Sequence, residues 1–249
     1  MVVIKTAREI ETMRQACRIS AAALRLAGEL LEDGVSTAYV DDAVREYILS
    51  QGATPSFLGY SGYPKTTNIS INDRVIHGIP DTGTIVKNGD IVSVDVGAFY
   101  KGFHGDNAAT FVIGEITSAA RRLVDVTREA LSRGIAAATK GNRVGDISFA
   151  VQSIVEENGF SVVRDFVGHG VGRNLHESPE IPNFGIAGRG VRLAPGMTIA
   201  IEPMVCAGGW QIDILDDGWT VVTRDGSLAA HFENTILITD NEPVILTRE

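Results

Sequence analysis

Two aspartates give the first chemical signal. Asp95 and Asp106 lie in the stretch Val94-Asp95-Val96-Gly97-Ala98-Phe99-Tyr100-Lys101-Gly102-Phe103-His104-Gly105-Asp106-Asn107, which reads as a β-hairpin. Val92, Val94 and Val96 lead into it and Thr110, Phe111 and Val112 lead out, all strand formers. A turn centred on Tyr100 and Lys101 would set Asp95 directly opposite Asp106, on one side of the sheet. Like charges so opposed destabilise a hairpin unless something positive sits between them, and a divalent cation fits that need. On the hairpin alone, two surface aspartates are an equal alternative.

A hidden repeat breaks the tie. Gly34 and Gly141, Gly52 and Gly159, Val44 and Val151, and Ile48 and Val155 are each 107 residues apart. Gly89 and Gly196 share that spacing and open two similar strands, one leading to Asp95 and the other to Glu202. After a longer loop in the second half, Asp106-Asn107 finds its counterpart in Glu233-Asn234, and His104 matches His231. Glu202 follows Thr198-Ile199-Ala200-Ile201, and Glu233 precedes Asn234-Thr235-Ile236-Leu237. An unpaired glutamate is almost never buried in such company. Four converging carboxylates without compensation would protonate or disperse, whereas hard cations resolve the conflict.

His169, in Phe166-Val167-Gly168-His169-Gly170-Val171-Gly172, adds an imidazole to the set. Its first-half echo is Tyr60, in Phe57-Leu58-Gly59-Tyr60. A lone histidine in such a turn is more often a structural hydrogen-bonder, but beside four acids it shifts the preference to Mn, Fe, Co or Zn. Acids shared between two ions would make a two-metal centre. His77 and His176 stand in glycine-flanked loops, where general acids and oxyanion donors sit. His104 and His231 read as supporting or packing residues.

Helices and strands must position these groups. Thr6 to Glu9 is a capping-box pattern, and Ile10, Met13, Cys17, Leu24 and Leu31 follow at helical spacing up to Gly34. A second helix spans about 38–50. Short strands follow at 57–60 and 68–71, then the hairpin from about 91 to 113. The order restarts with a helix capped by Ser118, another ending at Gly159, and strands at 161–167, 198–205, 211–222 and 232–239. Two such halves, about 1–113 and 114–249, imply a single pseudo-twofold α+β domain over residues 1–249. Its antiparallel sheet would curve around the site, with two helix pairs on the outer face.

Composition excludes several classes. A net charge of −9 and no basic run longer than Arg121-Arg122 argue against a nucleic-acid partner. No apolar run approaches the roughly 18 residues of a membrane span. Cys17 and Cys206 alone make no disulfide framework, and residues 1–5 lack a signal-peptide apolar region, so a cytoplasmic location is expected.

The motifs His77-Gly-Ile-Pro, Asp95-Val-Gly, Phe-His-Gly-Asp106, Gly-His169-Gly-Val-Gly with His176-Glu, Ile-Glu202-Pro and Phe-Glu233-Asn-Thr cover the chain. Together they resemble the type I methionine aminopeptidases, of the pita-bread metallopeptidase fold. The resemblance implies Asp95, Asp106, His169, Glu202 and Glu233 as ligands of two divalent ions (Co, Mn, Fe or Zn). Asp106 and Glu233 would bridge, Asp95 would hold one ion, and His169 with Glu202 the other. Glu202 would also act as the base, and His77 and His176 would contact the substrate. Tyr60, Tyr63, Asn68, Leu175 and Trp219 would shape the methionine pocket. Family members often carry Cys where Asn68 stands, Phe where Leu175 stands and His where Asn234 stands. The implied reaction is removal of the initiator methionine before a small second residue. The implied partners are nascent-chain N-termini, met near the ribosomal exit tunnel by a monomeric enzyme.

Overall fold

The computed structural model describes residues 2–248. Helix α1 (Ala7–Leu30) begins at a complete capping box: the Thr6 hydroxyl accepts from the Glu9 amide, and the Glu9 carboxylate accepts from the Thr6 amide. After it come α2 (Thr37–Ser50), β1 (Thr54–Pro55), β2 (Thr67–Ile71), β3 (Arg74–Ile76), β4 (Ile91–Tyr100) and β5 (Phe103–Val112). The second half restarts with α3 (Ser118–Ala137) and α4 (Val144–Glu157), then β6 (Ser161–Val162), β7 (Gly168–Gly170), β8 (Glu177–Ile181) and β9 (Thr198–Ile201). It closes with β10 (Met204–Cys206), β11 (Ile212–Ile214), β12 (Val221–Thr223), β13 (Ala229–His231), β14 (Glu233–Leu237) and β15 (Val244–Ile245).

Several boundaries differ from the sequence reading. Residues 57–60 form no strand, because Gly59 and Ser61 take positive φ around a 3₁₀ turn at Tyr60–Gly62. Thr117, not Ser118, caps α3 by accepting from the Ala120 amide. The strand expected over 161–167 stops at Val162. That expected over 198–205 breaks at Glu202-Pro203, where proline has no N–H to give the ladder.

The main sheet runs β1, β4, β5, β14, β9, β7, β8, with β2 also on β4 and β15 on β14. Strand β4 explains its two faces. Val92, Val94, Val96 and Ala98 pack against Ala23, Leu24 and Ala27 of α1, and Val40, Val44 and Ile48 of α2. The alternate residues Ser93, Asp95 and Gly97 therefore face away from the helices. In the second half Ile199, Ile201 and Ile236 join the core beneath α3 and α4 in the same way. One face is thus apolar and helix-covered, and the other is left for polar groups.

The hairpin turn sits one residue later than expected. Tyr100 pairs with Phe103, and Lys101 and Gly102 form the turn with φ of 48° and 89°. Positive φ at both central residues is the turn that matches strand twist; Gly102 takes the second such position without strain. Asp95 is therefore opposite Ala108 and Asp106 opposite Gly97, so the two acids are diagonal neighbours on one face.

The halves meet where β5 pairs with β14. Asn107 lies opposite Asn234, its own repeat counterpart, so the pseudo-twofold axis passes between them. Asp106 and Glu233 correspond across that axis, as the repeat predicts. Asp95 and Glu202 do not: Ala108 pairs with Asp95, while its counterpart Thr235 pairs with Ala200. Glu202 lies two residues further on, on the same face. The reason is connectivity. A two-residue turn sets the first register, whereas the second half joins β9 to β14 through β10 to β13.

Candidate metal centre

Read across the sheet, the five candidate ligands fall one to a strand, in the order Asp95 (β4), Asp106 (β5), Glu233 (β14), Glu202 (end of β9) and His169 (β7). Two adjacent rows hold them. One contains Gly97, Asp106, Thr235 and Ala200, and the register pairing Gly170 with Ile199 continues it to His169. The other contains Asp95, Ala108 and Glu233, and Glu202 continues it as the chain leaves β9. Side chains in register share a face, so the ladders alone bring all five together. The Asn183 amide holds the Glu202 carbonyl at 3.0 Å, fixing the backbone where the strand breaks.

Distances show it for four of the five: Asp106, His169, Glu202 and Glu233. Donor atoms of Asp106, His169 and Glu233 lie within 4.8 Å of one another. His169 Nε2 is 3.5 Å from Glu202 Oε1 and 3.8 Å from Asp106 Oδ2. The His169 Nδ1–H donates to the Gly170 carbonyl at 2.8 Å, which leaves Nε2 as a lone-pair donor aimed at carboxylates. Burial, aggravated by neighbouring acids, pushes the Asp106, Glu202 and Glu233 carboxyls well above the usual range. Burial also drives Asp95 up to about 7 and His169 down to about 3.

Asp95 Oδ1, Asp106 Oδ1 and Glu233 Oε1 are buried without a hydrogen-bond partner. Orphaned carboxylate oxygens this close together cost several kcal/mol unless a cation takes them. The donor set of four carboxylates and one imidazole suits a divalent ion of borderline softness. The residues fit a metal.

A cavity of about 290 Å³ opens directly onto these five residues. All twelve residues singled out from the sequence line it. His77 stands on one wall at φ 58°, a backbone strain characteristic of functional positions. Its ring meets Phe166 edge-on at 5.5 Å and Trp219 at 6.2 Å. His176 accepts or donates at Nδ1 to the Tyr60 hydroxyl at 2.6 Å, and its ring contacts His169 at 4.3 Å. Leu175 packs with Phe57, Tyr63 and Trp219 as an apolar wall. The Tyr63 hydroxyl is tied off on the Thr67 and Gly78 carbonyls, which leaves its ring to the cavity. Asn68 donates to Asp95 Oδ2 at 3.1 Å while lining the same space.

Phe57, Ile76, Phe166 and Val167 also line the cavity and escaped the sequence reading. Phe57 was hidden in a segment read as strand; only the bulky apolar pair Phe166-Val167 beside His169 offered a signal. His104 hydrogen-bonds Ser56 at 2.9 Å and stacks on Phe99. His231 is buried with Nε2 4.0 Å from Glu202. Tyr60 is not the first-half counterpart of His169: the ladders give that place to Asn68, which pairs with Asp95 as His169 lies beside Ala200.

Metallopeptidase family M24 matches residues 11–240. Methionine aminopeptidase of Clostridium perfringens is 50% identical over 247 residues, covering 99% of each chain. That of Escherichia coli K12 is 45% identical over 98% of this chain and 93% of its own. Among solved structures, methionine aminopeptidase from Thermotoga maritima superposes with a TM-score of 0.99 at 49% identity, over 100% of both chains. Prolidase from Pyrococcus furiosus reaches a TM-score of 0.82 at 27% identity, over 99% of this chain and 66% of its own.

Proposed function

This chain belongs to metallopeptidase family M24, and we propose that it removes the N-terminal methionine from polypeptides whose second residue is small. The reading rests on one juxtaposition: five ligand-type side chains on one sheet face, opening into a cavity with an apolar wall of Phe57, Tyr63, Leu175 and Trp219. At about 290 Å³ the cavity is at the small end of the roughly 300–1,000 Å³ typical of ligand sites. Phe57, Tyr63, Leu175 and Trp219 offer the unbranched, polarisable methionine side chain aromatic and aliphatic contacts. Relatives named for this activity at 45–50% identity support the substrate class.

Asp95, Asp106, His169, Glu202 and Glu233 would hold two divalent ions, Asp106 and Glu233 from the two central strands. When bound, such ions lower the pKa of water and polarise a carbonyl, which supplies a nucleophile at neutral pH. Glu202 takes the proton from the attacking water and returns it to the leaving amine. Tyr60 donating to His176 Nδ1 leaves the proton on Nε2, where it can be offered to the developing oxyanion. His77 braces the scissile amide, its ring held between Phe166 and Trp219. Substrates of this kind are nascent-chain N-termini, met in the cytoplasm near the ribosome.

Turnover of Met-Ala-Ser against Ala-Pro peptides tests the substrate; preference for Ala-Pro would assign this site to a proline-directed peptidase. Glu202→Gln should lower kcat by about 10²–10⁴ with Mn supplied. Full activity in that variant would remove Glu202 from the chemistry.

A further inference from the structure

The segment before α1 grips the loop that carries His176 and Leu175. Lys5 Nζ donates to Glu177 Oε2 at 2.6 Å, with side-chain exposures of only 2% and 6%. The other Glu177 oxygen accepts the Asn174 amide at 3.2 Å, closing the loop on itself. Gly172 lies against this pair: a Cβ there would come within 2.6 Å of Lys5 Cε and 2.7 Å of Glu177 Oε1. Four residues on, Glu9 Oε1 accepts from Arg173 at 3.0 Å, and the Arg173 guanidinium lies over the Phe103 ring. The Lys5 amide donates to the Gly196 carbonyl, so the lysine is itself anchored beside the start of β9.

We infer that the buried Lys5–Glu177 pair positions His176: it fixes the 171–177 loop so that the His176 ring meets Tyr60 and the metal ligands in one orientation. The Lys5 side chain bonds Glu177, not one of the five candidate ligands, and Lys5 is not among the residues lining the cavity. It acts only through Glu177, the residue next to His176. A buried ion pair adds little to net stability over a well-packed apolar pair, so a role in geometry explains it better than a role in folding energy. Both charges are held at short range with the remaining carboxylate oxygen also satisfied, which is the arrangement that gives one fixed position. The inference rests on the proposed role of His176 in catalysis, but its structural half stands independently.

The test compares Lys5→Met, Lys5→Arg and the parent on Met-Ala-Ser, together with long-range ¹H–¹⁵N spectra of the histidine rings in zinc-loaded protein. Lys5→Met should lose tenfold or more in kcat, with KM and zinc affinity within twofold, and should shift or broaden the His176 ring nitrogens while those of His77 and His231 stay in place. Lys5→Arg should recover most of both. Unchanged His176 resonances in Lys5→Met, or kcat within twofold of the parent, would overturn the inference. Should Lys5→Met fail to fold by circular dichroism, Lys5→Met/Glu177→Gln, which removes both charges, carries the same two readouts. A parent inert on Met-Ala-Ser would sink the proposed function, and the His176 spectrum would then decide the clamp alone.

Discussion

Stripped of divalent cations, this protein should lose stability as pH rises above about 7.5. Folded Asp95 holds its proton up to about 7, against an ordinary 3.8, because it is buried; Asp106, Glu202 and Glu233 are pushed well up for the same reason and by one another. In the unfolded chain all four ionise near 4. A carboxyl with a raised folded pKa stabilises fully below its unfolded pKa and loses that contribution as pH climbs through the folded one. At lower pH the histidines oppose this trend: His77 and His104 are lowered to about 4, His169 and His231 to about 3, and His176 is lowered too, so the fold resists their protonation and weakens as pH falls. Histidines in the unfolded chain titrate at about 6.5, so their opposition is half spent at that pH and gone by about 7.5, above which the acids act alone. Each acid still protonated in the fold costs about 1.36 kcal/mol per pH unit, or about 2 kcal/mol from pH 7.5 to about 9. At 2–4 °C per kcal/mol for a domain of this size, one such group lowers Tm by about 4–8 °C. The assay is a thermal melt at about pH 7.5, 8, 8.5 and 9 in chelator, repeated with Mn. With the ion bound the carboxylates stay ionised and binding releases protons, so the Mn curve should rise with pH. A chelated protein whose Tm is flat or rises across this range would refute both the acid cluster's burial and the cation's role in relieving it.

Two substitutions test the parts around the ligands. Asn68→Ala removes the donor to Asp95 Oδ2 and should weaken divalent-ion affinity by about 10–100-fold, read by isothermal titration with Mn. Gly97→Ala puts a Cβ 2.6 Å from the Ser56 Cβ and 2.8 Å from Phe57 Cε1; a denaturation curve should show a loss of about 1–3 kcal/mol, and KM should rise as the Phe57 wall moves.

Much of this was legible in the sequence, and what was not has physical causes. The alternation of Val92, Val94 and Val96 with Asp95 announces a strand with one buried and one polar face, and the structure has it so. The hairpin register was misread by one turn residue because a turn centred on Tyr100 and Lys101 looks as good on residue types. Only the φ requirement at both central positions prefers Lys101-Gly102. The acids still share a face, because the shift preserves the odd-even relation between the strands. The short strands β3, β8, β13 and β15 escaped because two to five residues carry too little periodicity to register. Phe57 was lost for the opposite reason: an apolar residue between turn formers suggests a strand, but positive φ at Gly59 and Ser61 diverts the chain into the cavity wall.

The repeat located the acids, yet the ladders show that only Asp106 and Glu233 are true counterparts. Across the axis between Asn107 and Asn234, Asp95 corresponds to Ala200, Glu202 to Gly97 and His169 to Asn68. Each remaining candidate ligand therefore corresponds to a residue in the other half that is not one. That pattern divides the labour. The symmetric pair lies on the two central strands, nearest the axis, where a carboxylate can serve either side equally. Asp95 lies alone toward β4, while Glu202 and His169 lie together toward β7. A strictly symmetric site would present two identical ends and could not tell a peptide's amine from its carbonyl. Placing an imidazole with a carboxylate at one end and a single carboxylate at the other makes the ends chemically distinct, and the side chains that complete the cavity follow the same division. Asn68 braces Asp95 at one end, and His176 contacts His169 at the other. Directional hydrolysis from a chain terminus needs that difference, and it is supplied by the positions at which the two halves stopped resembling each other.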